Sequence, residues 1–262
     1  MTINSGNNLT ITILGTGTSH GVPIVGCKCD VCTSDDIKDK RTRTSALLSW
    51  DETNIAIDIG PDFRQQMLRA QVDHLEGILI THEHNDHVIG LDEIRPFNFI
   101  SKAPMNIYAT LAVQSEFRQR FSYVFDNDPY PGAPRVNFKS IQKDQNIFIR
   151  GREIIPVEVT HGNIAVLGFR IGNFAYITDA KFIAHEELRK LEGLDVLIIN
   201  ALHHHEHFAH LNVNEALELI TLLRPQKAYL THISHKMGKH SDVSKTLPDG
   251  VELAYDGLQI NL

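Results

Sequence analysis

Short apolar runs alternate along this chain with longer stretches of helical period. The runs are rich in β-branched residues and bounded by turn formers, so they predict strands at 9–14, 45–49, 54–59, 77–80, 105–108, 154–159, 166–171, 174–177, 196–199, 228–230 and 252–255. The Ile171-Gly172-Asn173-Phe174 step reads as a hairpin closed by a two-residue turn. Apolar positions three and four apart predict helices at 62–70, 88–98, 111–123, 181–192 and 213–223. The last carries its own punctuation. Asn212 is placed to cap it, Glu215 completes a capping box, and Pro225 lies just past its end.

The order is β-rich, helical, β-rich, then helical again. That predicts an α/β protein whose two sheets pack face to face with helices outside, a four-layer αβ/βα sandwich. No repeat or low-complexity linker divides the chain, so residues 1–262 read as a single domain. With 42% hydrophobic and 22% charged residues, the composition is that of an ordinary globular protein. The formal charge of −7 argues against an extended nucleic-acid-binding face. No stretch reaches the roughly 20 apolar residues of a membrane span. The start, Met1 to Asn8, is polar and lacks a signal peptide's apolar core, so a cytoplasmic location is expected. The oligomeric state is open and leaves room for a homodimer.

Three imidazoles and two acids crowd into His82-Glu83-His84-Asn85-Asp86-His87, between the apolar run Gly77–Ile80 and a helical pattern. Neutral imidazole and ionised carboxylate suit zinc, manganese or iron. Burying such a group costs several kcal/mol unless something pairs with it, and a pair of cations offsets that cost. Further donors follow other apolar runs: His161 after 154–159, Asp179 after 174–177 and His232 after 228–230. Asp58 sits in the same way after an apolar run and reads either as a turn former or as a residue orienting a ligand imidazole. Arg41 and Arg43 read as a solvated strand start. The Gly15-Thr16-Gly17-Thr18 turn lacks the further glycine and lysine of a nucleotide loop. All three cysteines lie within Cys27-Lys28-Cys29-Asp30-Val31-Cys32. Clustered thiols of odd number favour metal over disulfides, and a tetrahedral zinc there needs one more ligand.

The stretch Thr81-His82-Glu83-His84-Asn85-Asp86-His87 resembles the T-H-x-H-x-D-H signature of the metallo-β-lactamase-fold hydrolases. The resemblance runs over nearly the whole chain. It implies that His82, His84 and His161 hold one metal, that Asp86, His87 and His232 hold another, and that Asp179 bridges them. The di-iron flavoprotein branch carries Glu where His84 stands, so hydrolysis is implied rather than oxygen reduction. Leu14–Pro23, Gly26–Cys32 and Thr231-His232-Ile233-Ser234-His235 are similar to the phosphoribosyl cyclic phosphate phosphodiesterases of phosphonate catabolism. That likeness implies a structural zinc on Cys27, Cys29, Cys32 and His235, with the Cys-rich loop at 26–33. It also implies a catalytic histidine, here His210, ahead of the helix that starts after Asn212. His207 is a candidate substrate-binding residue, whereas His203, His204 and His205 read as solvated loop residues.

The implied chemistry is hydrolysis of a small ribose cyclic phosphate. Two divalent ions, manganese or zinc with iron and nickel as alternatives, outweigh Asp86, Asp179 and one bridging hydroxide, so the centre attracts an anionic phosphate ester. The hydroxide attacks phosphorus and His210 protonates the leaving alkoxide. Two other readings stand beside this one. A ribonuclease Z-like RNA processor needs a basic protruding arm, which the sequence does not display. A protein of pyrroloquinoline quinone biosynthesis shares the zinc-loop pattern but is expected to depart from the hydrolase ligand set. A scaffold without active-site metals is the non-enzymatic alternative.

Overall fold

The computed structural model describes residues 8–262, so the polar start lies, but for Asn8, outside the described residues. Strands β1 (Thr10–Gly15), β2 (Ser45–Trp50), β3 (Thr53–Ile57), β4 (Gly77–Leu79), β5 (Met105–Ala109) and β6 (Val136–Ser140) form one sheet. The second holds β7 (Ile147–Ile149), β8 (Arg152–His161), β9 (Ile164–Ile171), β10 (Phe174–Ile177), β11 (Val196–Asn200), β12 (Lys227–Thr231) and β13 (Val251–Leu253). The chain then returns to the first sheet with β14 (Gln259–Asn261), beside β1. In each sheet one half is antiparallel and the other parallel: β3, β4, β5 and β6 run parallel in the first, and β10, β11, β12 and β13 in the second.

Alternation along the strands builds the layers. Ile11, Ile13, Ile55, Ile57 and Leu79 face Ile154, Phe169, Tyr176, Ile198 and Tyr229 across the gap between the sheets. Their neighbours Leu14, Ala56, Ile78 and Ile80 point the other way, onto a helical layer that supplies Phe63, Leu91, Phe97 and Phe117. On the far side Leu197, Ile199 and Leu230 pack against Val213, Ala216 and Ile220. Strands buried on both faces need no polar alternation, which is why these runs are continuously apolar. The expected four-layer α/β sandwich is the observed one. No helix among the described residues is long and apolar enough to cross a membrane.

The helix Val213–Leu223 and its Asn212–Glu215 capping box stand as read from the sequence, and Ile171 pairs with Phe174 across the two-residue turn. The expected helix at 88–98 is broken. A four-residue helix, Asn85–Val88, is followed by a 3-10 turn, Ile89–Ile94, and a new helix, Arg95–Ser101. Pro96 has no N–H for a continuous helix, and it stands in the first turn of the new one. Only His185–Arg189 of the expected 181–192 is helical. Lys181 N and Phe182 N instead donate to Thr160 O, tying that segment to β8.

Candidate active site

The cluster forms where strand ends meet at one edge of the sandwich. Beyond β4, Thr81 N donates to Asp58 Oδ1 at 2.8 Å, and Thr81 Oγ1 donates to Asp58 Oδ2 at 2.9 Å. His82 is fully buried, and the short helix Asn85–Val88 sets Asp86 and His87 side by side. The turn packs so closely on the loop after β3 that a Cβ at Gly60 would lie 2.1 Å from Asp86 O. Arg120 braces its outer side through Glu83 O and Asn85 Oδ1.

Three more residues reach the same place from other strand ends. His161 closes β8, and its Nδ1 donates to Ala209 O at 2.8 Å, which leaves Nε2 free for the cluster. Asp179 follows β10 and His232 follows β12. His232 Nε2 is 3.1 Å from Asp179 Oδ1, and His87 Nε2 is 3.3 Å from both Asp86 Oδ2 and Asp179 Oδ2. His82 Nε2 and His84 Nδ1 face each other at 2.9 Å. Behind His87, fully buried Asp58 accepts from Nδ1 at 2.7 Å. That bond fixes which ring nitrogen carries the proton and turns Nε2 toward the acids.

The electrostatics follow from burial and crowding. Burial and the neighbouring imidazole of His87 push His82 well below its ordinary value. Burial pushes His87 the same way, but Asp86, Asp179 and Asp58 overcome it and hold that ring well above its ordinary range. Asp86 and Asp179 are raised by burial and pulled back further by the imidazoles around them, so both stay ionised. Burial and the rings of His232, His161 and His207 push His210 down to about 2.

The donors fit a divalent pair. Ligand atoms of His82, His84 and His161 lie within 4.8 Å of one another, and so do those of Asp86, His87 and His232. Asp179 groups with His82 and His87, and again with His161 and His210. Buried His87 Nε2, His210 Nδ1 and both ring nitrogens of His232 have no partner with hydrogen-bond geometry. A native cluster rarely buries that many polar atoms unpaired, and cations at these points would satisfy them.

The sequence-read candidates therefore converge, with additions and corrections. His210 stands closer to the centre than its placement ahead of a helix suggested, with Nδ1 3.7 Å from Asp179 Oδ1. His207 lies beside it, ring centroids 5.0 Å apart. Both line a cavity of about 370 Å3 together with Ser19, Asn163 and Phe208, which carry no sequence signal for this role. His203 is not solvated: it is buried, and its Nδ1 accepts from His205 N. Arg41 is no solvated strand start either. It is buried, and it donates to Thr16 Oγ1 and Ala254 O while meeting His240 Nδ1 at 3.2 Å. Away from the cavity, His235 Nδ1 lies 3.3, 3.4 and 3.6 Å from the sulfurs of Cys27, Cys29 and Cys32. The Cys32 backbone N–H lowers the Cys29 thiol to about 6, whereas burial raises Cys32 to about 11.

Comparison with known proteins agrees with this geometry. Residues 53–233 match the family described as beta-lactamase superfamily domain. A crystal structure of a new diphosphatase from the PhnP family superposes with a TM-score of 0.91 at 36% identity, covering 97% of each chain. Zn(2+)-bound PqqB from Methylobacterium extorquens shares the fold, with a TM-score of 0.81 at 19% identity over 97% of this chain and all of that one. A protein of Porphyromonas gingivalis (strain ATCC BAA-308 / W83) named octanoyltransferase is 40% identical over 94% of this chain. The match takes in 50% of that protein, so the chain spans half the length of this curated relative. With a family match across most of its length and a relative of 36% identity aligned end to end, the chain belongs to the PhnP family of the beta-lactamase superfamily.

Proposed function

We propose that the chain hydrolyses a small cyclic phosphodiester of the ribose cyclic phosphate class in the cavity of about 370 Å3. The convergence of His82, His84, His161, Asp86, His87 and His232 around Asp179 carries this reading. In it, His82, His84 and His161 hold one ion, Asp86, His87 and His232 hold the second, and Asp179 serves both. The imidazole and carboxylate donors suit manganese or zinc, and iron or nickel less specifically. A divalent pair there supplies Lewis-acid polarisation of the phosphate and an activated water near neutral pH. Asp58 orients His87 through Nδ1. An alkoxide leaves poorly without a proton, and His210 provides one as the ester bond breaks. Burial keeps His210 neutral in the free chain, and the negative charge of an entering phosphate opposes that push. His207 binds substrate from the adjoining wall. A zinc on Cys27, Cys29, Cys32 and His235 is structural, because four protein donors leave no open position. Free thiols so grouped suit a reducing compartment, in keeping with a cytoplasmic enzyme.

The name octanoyltransferase belongs to a protein twice as long, and the cavity described here does not suit that chemistry. An eight-carbon acyl chain needs an apolar channel, whereas this floor is made of imidazoles and carboxylates.

Turnover of a five-membered cyclic phosphate by the manganese-loaded protein tests the proposal. His210→Ala should lower kcat by about 10²–10⁴-fold while leaving substrate binding near its original value. A p-nitrophenyl ester, whose leaving group needs no proton, should lose far less. Absence of ring opening by the fully metallated protein would end the proposal. Equal activity of the variant on both esters would remove His210 from it. Faster cleavage of a diphosphate, with no dependence on His210, would favour the activity of the PhnP-family relative instead.

A further inference from the structure

A second pocket, of about 320 Å3, begins one residue past Ser19, at His20, and shares no lining residue with the cavity over the donor cluster. Lys40, Arg41, Arg43 and Arg69 line it against Asp62 and Asp256, an excess of two positive charges on a chain whose formal charge is −7. The two acids are already matched. Arg43 Nη1 lies 3.2 Å from Asp62 Oδ2, and Arg69 Nη1 lies 3.4 Å from Asp256 Oδ2.

That leaves Lys40 and Arg41. Half-buried Lys40 enters no ion pair among the described residues. Arg41 is only 4% exposed, and its guanidinium bonds to uncharged partners: Thr16 Oγ1 at 2.8 Å, Ala254 O at 2.7 Å and His240 Nδ1 at 3.2 Å. Burial lowers Arg41 to about 10, so it stays charged near neutral pH. Buried charges are ordinarily paired, yet Asp256, Asp39 and Asp36 reach this one only at longer range. Its field is screened little by such surroundings. Arg43 can take part as well. Its Nε donates to Ser19 O at 3.1 Å and its Nη1 faces Asp62, which leaves Nη2 uncommitted. Gly21 keeps room beside it: a Cβ there would lie 3.3 Å from Arg43 Nη1, on a backbone whose φ of +66° favours glycine.

The rest of the wall includes Val22, Pro23 and Ile37, and the Ile37 side chain is 77% exposed. Uncommitted cations and uncovered apolar surface in one pocket suit a molecule of both characters. A phosphate monoester carries a charge of about −1.5 to −2 at pH 7, which matches the excess, whereas a carboxylate carries one. We infer that this pocket is a second ligand site, which takes a small phosphate monoester with an apolar organic part. The phosphate meets Lys40 Nζ and Arg43 Nη2 under the field of Arg41, and the organic part covers Val22, Pro23 and Ile37. The site needs no metal, so it stands apart from the proposed reaction.

Proton–nitrogen NMR of the zinc-loaded protein tests this, with phenyl phosphate, inorganic phosphate and benzoate as probes. The amides of Gly21 and Thr42 report the pocket, and those of Gly162 and Asn163 report the cavity. Phenyl phosphate should shift the first pair saturably, with a dissociation constant of about 1 mM or below. Inorganic phosphate lacks the apolar part and benzoate lacks the second charge, so each should bind there roughly 10-fold more weakly. Lys40→Met should weaken phenyl phosphate at Gly21 and Thr42 by about 10-fold or more and leave the behaviour of Gly162 and Asn163 unchanged. Ile37→Ser should weaken phenyl phosphate but not inorganic phosphate. Neither side chain is buried, so both variants should melt near the parent temperature. Absence of saturation at Gly21 and Thr42 at several millimolar, or binding there that survives Lys40→Met, would overturn the inference. So would benzoate or inorganic phosphate binding as tightly as phenyl phosphate. Shifts confined to Gly162 and Asn163 would place the phosphate at the donor cluster alone and overturn it too.

Discussion

Replacing Asp58 separates its structural work from its effect on His87, a metal ligand in the proposed function. Its carboxylate accepts from three donors, Thr81 N at 2.8 Å, Thr81 Oγ1 at 2.9 Å and His87 Nδ1 at 2.7 Å, in a place with no solvent exposure. Asp58→Ala orphans Thr81 N and His87 Nδ1 and leaves Thr81 Oγ1 only His82 Nδ1 at 3.0 Å, at about 1–3 kcal/mol for each donor left unpaired. It also puts alanine at a φ of +64°, where the side chain crowds its own backbone. Allowing for water entering the space, a loss of about 3–6 kcal/mol is expected. For a chain of this size that lowers the melting temperature by about 6–20 °C. Asp58→Asn tests something finer. Asparagine tolerates a left-handed backbone, and its single carbonyl oxygen must stay with Thr81 N, which has no alternative acceptor. The new NH2 then faces His87 Nδ1 and forces it to accept. The ring proton moves to Nε2, the atom 3.3 Å from Asp86 and Asp179. A protonated nitrogen cannot bind a cation, so affinity for one of the two ions should fall by about 10–100-fold with little change in melting temperature. Chelator competition measures the affinity, and nitrogen NMR of the imidazoles reports the tautomer. Parent-like metal affinity in Asp58→Asn, or a melting temperature within about 1 °C of the parent for Asp58→Ala, would refute the reasoning.

Other expectations follow from other parts of the molecule. Gly60→Ala places a methyl group 2.1 Å from Asp86 O, so a loss of about 1–3 kcal/mol and weaker metal retention are expected, by thermal melt and metal analysis. Cys29→Ser or His235→Ala should remove one zinc per chain in elemental analysis. It should also loosen the active centre, because His235 stands three residues past His232 in one segment, which Ile233 N to Thr16 O at 2.8 Å and Ser234 N to Leu202 O at 3.0 Å fix to its surroundings. Retained zinc in both variants would contradict this. Burial and the Arg41 guanidinium push His240 down to about 4, whereas in the unfolded chain it titrates near 6.5. The unfolded state thus binds the proton first, so stability is complete above about pH 6.5 and falls as the pH drops toward 4, by about 1–2 kcal/mol from this residue. Urea melts across that range should show a shallower slope in His240→Asn, and an unchanged slope would count against the assignment.

The parts of the molecule that the sequence made legible are those whose signals are local. The 82–87 turn concentrates its donors in six residues, and the Asn212–Glu215 capping box needs only its own helix. Strands β6, β7 and β14 escaped, β7 and β14 being only three residues long. β6 and β14 also carry largely exposed, polar positions at sheet edges, where no apolar run marks them. The helix expected at 181–192 failed for a distant reason. Thr160, more than twenty positions earlier, takes the backbone of Lys181 and Phe182 into a bridge. Arg41 was misread because its partners, Ala254 and His240, come from the other end of the chain. Ser19, Asn163 and Phe208 lack distinctive chemistry, so only the cavity reveals them.

Backbone strain supplies a last thread between sequence and site. Asp58, Asp179 and His232 each stand at positive φ, at +64°, +56° and +56°, and each lies at or just beyond the end of a strand. A left-handed residue other than glycine costs about 1–2 kcal/mol. Three such residues in one cluster are hard to explain by stability alone, since glycine or asparagine would suit those backbones better. The explanation lies in what the conformation permits. A single left-handed residue ends a strand abruptly, so the chain turns away while its side chain remains at the sheet edge. There Asp58 meets His87 and Asp179 meets both His87 and His232. Strain of this kind persists where surrounding structure enforces it and where the side chain is needed. The continuous cores on both faces of each sheet provide the enforcement. The rigid sandwich is thus what allows unfavourable backbones to hold acids and imidazoles close together, with ligand atoms within 4.8 Å of one another.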